Sequence, residues 1–268
     1  MCPATLIADF MNPTGDDVRA AVDSALRAGA TTSSTWTLHL PALGGLEAAA
    51  DWLKSAGMAT GCVEAGSNWA NTDQATADKE GRQLAEAAAA LESPLIMAVC
   101  LEPALDDMDQ ARDNLAVMAA HARDAGARVC VEFLPWTGIA NLATAWALVE
   151  PLGPDAGVLV DTWHWQRQPG GPNLPLLSSI PGDRVLYVQM CDAAPGSSTD
   201  MAEAMTGRLL PGDGVVDFAS LIATLKQIDA HPFIAPEIFN PGLVAELGAD
   251  AFASAGVSRS KQLFDSAA

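Results

Sequence analysis

Positive charge is scarce in this chain. Fourteen lysines and arginines stand against 33 aspartates and glutamates, a formal net charge of −19. That sign opposes nucleic acid and anionic membrane surfaces, which both need a basic face. It also means that an anionic substrate would need a metal or a local arginine to offset the field. Metal-type cysteine spacing is missing too: Cys2, Cys62, Cys100, Cys130 and Cys191 form no CxxC pair. Several lie in apolar runs, and all are expected to be buried, reduced thiols. The opening MCPATLIADF has an early acid and no basic segment, so no signal peptide is read there. No apolar run approaches the ~20 residues of a membrane span. The expectation is a cytoplasmic protein that touches neither membrane nor nucleic acid. No GxGxxG or P-loop sequence occurs, and no linker or composition break divides the chain. A single domain over residues 1–268 is expected, and the oligomeric state is left open.

What is present is apolar and periodic. Half of the residues are hydrophobic, enough for a large core and too many for disorder. Runs of strand length fall at residues 5–10, 31–40, 60–65, 94–101, 129–134, 157–160, 185–190 and 233–238. Between them lie helical patterns. Val18, Val22, Ala25 and Leu26 share one face before Gly29, and Leu105, Met108, Ala111, Leu115, Met118 and Ala122 repeat at three and four. Asp217 is placed to cap a helix with Phe218, Leu221, Ile222, Leu225 and Ile228 inward. Eight strands alternating with helices predict parallel βα units, and the length is close to the ~250 residues of a (β/α)8 TIM barrel. An open doubly wound sheet is the structural alternative, without a nucleotide-binding motif to support it. In the barrel, chemistry belongs at the C-terminal face.

Four of the later runs end in an oxygen-bearing side chain: Glu132 in VCVEFLPW, Asp161 in GVLVDTWHW, Gln189 in VLYVQMCDA, and Glu237 in FIAPEIFN. Strand ends converge in a barrel, and converging carboxylates repel unless a cation joins them. An all-oxygen set favours a hard ion, Mn²⁺ or Mg²⁺, with Co²⁺ as an alternative. Glu132, Glu237 and His164 are the candidate acid/base groups. Trp136 and Trp163 are candidate pocket walls, while His39, His121 and His231 are read as structural. In RLLPGDG (208–214) a rare arginine, Arg208, precedes a tight-turn sequence. It is a candidate for binding a carboxylate or another polar substrate group, or for pairing with an acid of the chain. The small, polar stretch 193–207 is a candidate lid.

Together, the strand-end series, DTWH at 161–164, RLLPGDG and EIFN at 237–240 resemble the xylose isomerase-like TIM barrels, the sugar isomerase/epimerase superfamily, over roughly residues 128–242. The resemblance implies one divalent metal held by Glu132, Asp161, Gln189 and Glu237, and a small polyhydroxylated substrate bound with the help of Arg208, His164, Trp136 and Trp163. It is nearest to a branch with Gln as a metal ligand, which includes 3-dehydroshikimate dehydratases. Their Ser-Arg-His run is replaced here by residues 203–207, EAMTG, and their acid-rich early strand by TTSSTWTLHL. DNA-repair endonucleases of the superfamily need a basic face and several metal-binding histidines, which this chain lacks. Three functions follow: a metal-dependent isomerase or epimerase moving a proton next to a carbonyl, a dehydratase (a lyase) on a cyclic polyhydroxy acid, or a silent sugar- or metal-binding barrel.

Overall fold

The computed structural model describes residues 1–196 and 199–266. Its centre is a parallel sheet of seven strands that pair in chain order: β1 Thr32–Trp36, β2 Ala59–Gly66, β3 Leu95–Val99, β4 Arg128–Glu132, β5 Ala156–Asp161, β6 Val185–Met190 and β7 Phe233–Pro236. Helices pack outside: α1 Gly15–Arg27, α2 Leu46–Ala56, α3 Gln74–Ala90, α4 Met108–Asp124, α5 Leu142–Val149, α6 Thr162–Arg167, α7 Leu174–Leu177, α8 Met201–Thr206, α9 Phe218–Gln227, α10 Pro241–Leu247 and α11 Ala249–Ser266. This is the TIM barrel with a nearly closed sheet. Among the described residues, no helix is long and apolar enough to cross a membrane.

One expected strand is absent. Residues 5–10 do not extend; Pro3 starts a 3-10 turn over Pro3–Leu6, and Thr5 closes it with its hydroxyl on the Cys2 carbonyl (2.8 Å). Proline suits the first position of such a turn because its φ is already set and no N–H is lost. The seam between β7 and β1 is bridged by two residues instead. Cys2 N–H donates to Pro236 O (2.9 Å), and Met1 O accepts from Ser34 N–H (3.2 Å). The run 31–40 is also cut short, since β1 stops at Trp36 and gives way to 3-10 turns at Thr37–His39 and Pro41–Leu43.

The helices start where their caps are. Thr14 and Asp17 form a reciprocal capping box on α1, and Asp217 accepts from Ser220 N–H (3.0 Å) at the start of α9. Strand alternation then sorts the core. Val129, Val131, Val158, Val160 and Val188 face the helices, while Cys62, Leu95, Met97, Cys130, Leu159 and Tyr187 fill the bore.

 The period of two carries that sorting up each strand. Cys62 and Glu64, Cys130 and Glu132, Leu159 and Asp161, Tyr187 and Gln189, and Ala235 and Glu237 are each two residues apart. The apolar member fills the bore, and the oxygen-bearing member points the same way one step nearer the C-terminal face. Register places Asp161 beside Gln189 on neighbouring strands.

Candidate active site

The bore therefore delivers four carboxylates, Glu64, Glu132, Asp161 and Glu237, to one buried region, each no more than 6% exposed. Burial pushes the Glu132 and Glu64 carboxyls well above the usual carboxylate range, and their acidic neighbours push them further. Burial likewise raises Glu237 to about 7, against the attraction of Arg208.

Arg208 is the cation among them, and it is 2% exposed. Its Nη1 donates to Asp161 Oδ2 (2.7 Å), Glu237 Oε2 (3.3 Å) and the Glu237 carbonyl (3.1 Å). Its Nε donates to Ala204 O (2.7 Å), which ties α8 to the site. Asp161 divides its oxygens: Oδ2 holds Arg208, while Oδ1 accepts from His164 N–H (2.9 Å) and caps α6.

His164 is buried, and burial drives its pKa down to about 3. The ring is therefore neutral near pH 7. Its Nε2 lies 3.3 Å from Arg208 Nη2. A guanidinium can only donate, so Nε2 accepts and the ring proton sits on Nδ1. That Nδ1 is buried and has no partner among the described residues. Glu132 Oε1 lies 3.6 Å from Nε2, too far for a hydrogen bond. Trp136 and Trp163 meet the imidazole edge-on, each with ring centroids 5.3 Å away.

Glu132, Asp161 and His164 bring donor atoms within 4.8 Å of one another, a group able to hold a metal ion; Cys2, Glu64 and Glu237 form a second such group. The residues fit a dication. Among the described residues, four carboxylates face one arginine, and Gln189 Oε1 is a buried acceptor with no donor. Of the four ligands expected from the sequence, Glu132 and Asp161 share the first group. Glu237 joins Asp161 through Arg208, and Gln189 lies beside Asp161 with its amide nitrogen on Glu64 Oε1 (3.3 Å).

Several residues escaped the sequence reading. Glu64 enters the site from β2, and Ser34, Trp36 and Tyr187 face its carboxylate. None of the three makes a hydrogen bond of ordinary geometry there. Asp192 holds the 211–214 turn by accepting from the N–H groups of Gly212 (2.9 Å), Gly214 (2.9 Å) and Val216 (3.0 Å). Arg167, at the end of α6, grips the candidate lid through Gly196 O, Ala194 O (2.7 Å) and Glu203 Oε1 (2.8 Å). The lid stretch 193–207 contains α8, and its residues 197 and 198 lie outside the described residues. All five cysteines are free and buried, as expected.

Comparison with known proteins agrees with this fold. The sequence model of the xylose isomerase-like TIM barrels matches residues 22–260. Over 145 residues the chain is 33% identical to a 3-dehydroshikimate dehydratase of Pseudomonas putida, covering 53% of this chain and 22% of that protein. The chain thus spans about a quarter of the length of the curated relatives it matches. Among solved structures, the IOLI protein with a zinc atom superposes with a TM-score of 0.83 at 16% identity, covering 100% of this chain and 98% of that one. A D-allulose 3-epimerase from Methylomonas sp., in complex with D-allulose, superposes with a TM-score of 0.76 at 20% identity, covering 97% and 94%. At such identities the structural likeness speaks for the fold, and the family match extends over most of the sequence: this chain belongs to the xylose isomerase-like TIM barrel family.

Proposed function

We propose that this chain is a divalent-metal-dependent isomerase or epimerase that moves a proton next to a carbonyl of a sugar or another small polyhydroxylated molecule. The observation that carries this proposal is the pair Glu132 and Glu237, two buried carboxyls with raised proton affinity in one site with Arg208 and His164. Mn²⁺ or Mg²⁺, with Co²⁺ as an alternative, held by Glu132, Asp161, Gln189 and Glu237, would polarise the substrate carbonyl as a Lewis acid. A carboxylate oxygen of Glu132 or Glu237 takes the α-proton, and the other glutamate returns it. The His164 Nδ1–H, neutral and without a partner among the described residues, donates a hydrogen bond to the substrate oxygen on which charge develops. Trp136 and Trp163 wall the sugar, and Arg208 fixes a polar or anionic substituent.

A second reaction is favoured by one specific observation, the 33% identity to a 3-dehydroshikimate dehydratase over half of the chain. In that case the same base removes the proton, and the β-hydroxyl leaves as water with a proton from the other glutamate, while neutral His164 donates a hydrogen bond. The test is solvent deuterium incorporation into a panel of ketoses and 3-dehydroshikimate, with Mn²⁺, for the wild type, Glu132→Gln and Glu237→Gln. Deuterium in a ketose, lost in at least one glutamate variant that still binds metal, supports the isomerase or epimerase. Dehydration of 3-dehydroshikimate without ketose exchange assigns the lyase. No exchange and no turnover on any compound leaves a binding barrel and refutes both enzymes.

A further inference from the structure

Glu64 is an expensive residue to keep. It is fully buried, its Oε1 receives one long hydrogen bond, and its Oε2 has no partner among the described residues. Burying an acid with so little compensation is unfavourable whether it is ionised or neutral, and an apolar side chain of similar volume would cost less. Packing therefore does not account for it. Its partner does: Gln189 Nε2 donates to Glu64 Oε1 at 3.3 Å, from β6 to β2 across the bore of the barrel.

An amide has two unlike ends. Only the oxygen can bind a cation, and only the N–H₂ can donate. With the N–H₂ turned to Glu64, Gln189 Oε1 is left over, buried and without a donor among the described residues. With Glu64 ionised beside the cation, turning the amide over would set that oxygen against a carboxylate oxygen, two acceptors in contact. Ligands of metal sites commonly need such a partner to fix which atom faces the ion.

We propose that Glu64 is a positioning residue that fixes the Gln189 amide with its oxygen toward the cation. This rests on the metal site of the proposed function. It also accounts for an acid on β2 that adds no ligand of its own to the expected set of four.

The experiment is Mn²⁺ titration calorimetry on the full chain, with the melting temperature of the metal-free protein measured alongside. Glu64→Leu removes the acceptor and is expected to weaken Mn²⁺ binding about 10–100-fold, the usual effect of losing a ligand's orienting partner. The metal-free melting temperature should hold or rise. Glu64→Gln keeps a carbonyl oxygen within reach of Gln189 Nε2 and should bind within a few-fold of wild type. Glu64→Asp keeps the charge but draws the acceptor back by one methylene, and it should weaken binding as Glu64→Leu does. If Glu64→Leu does not fold, the Asp and Gln variants decide between them. Wild-type affinity in Glu64→Asp, or lost affinity in Glu64→Gln, overturns the positioning role, because charge and not orientation would then matter. A wild-type protein that takes up no Mn²⁺ overturns the metal site itself, and the positioning role with it.

Discussion

Arg208→Met in the metal-free protein removes the guanidinium that Asp161 and Glu237 share and leaves both carboxylates buried without it. Breaking a buried ion pair from one side costs about 3–5 kcal/mol, because the remaining charge is neither solvated nor paired. Unfolding entropy of about 0.6 kcal/mol/K is expected for a chain of 268 residues. The loss should therefore appear as a fall in melting temperature of about 5–9 °C. Its pH dependence has a definite sign. Glu237 has a raised folded pKa, about 7, and Arg208 opposes that rise. Stability tied to a raised carboxyl pKa is present at low pH and is lost as pH rises through the folded value. Without Arg208 the folded value climbs further, so the penalty should be larger at pH 8 than at pH 5. Excess Mn²⁺ should restore more stability to the variant than to the wild type, since a cation replaces the missing charge. Differential scanning calorimetry at the two pH values, with and without Mn²⁺, reads all three effects. A fall that is the same at pH 5 and pH 8, or below about 1 °C, would refute the view of Arg208 as the counter-charge of this site.

Mn²⁺ at about 100 times its dissociation constant should stabilise the wild type by about 2.7 kcal/mol. This gain should shrink toward pH 5, where protons compete for Glu237 and Glu132; a thermal shift with equal gains at both pH values speaks against carboxylate ligands. Gly214→Ala should cost about 1–3 kcal/mol, because a Cβ there meets Ala193 O and the Asp192 carboxylate. Denaturant melting checks it, and an unchanged midpoint means that the turn yields freely.

The barrel was legible because strand runs and helix periods are local signals, and their alternation allows few topologies. The first strand misled because residues 5–10 are apolar and of strand length, while Pro3 and the Thr5 hydroxyl bend the backbone before it can pair. The later half of the site was readable for a related reason: each oxygen donor closes a clearly apolar run. Glu64 carries the same signal. Cys62-Val63-Glu64 on β2 repeats Cys130-Val131-Glu132 on β4, and in both the Cys and the Glu share the bore-facing side. The repeat could have marked Glu64 as a member of the site. Arg167 and Asp192 could not be found this way. Their partners are backbone carbonyls and N–H groups of distant loops, which leave no residue pattern.

The six residues of α6 do more than link β5 to the next loop. Asp161 caps the helix, His164 stands in its middle, and Arg167 at its end grips the 193–207 segment. Carboxylate, imidazole and latch are thus mounted on one rigid lever less than two turns long. A shift of the backbone at Ala194 would load Arg167, and across so short a helix the strain would reach the His164 ring and its capping bond from Asp161.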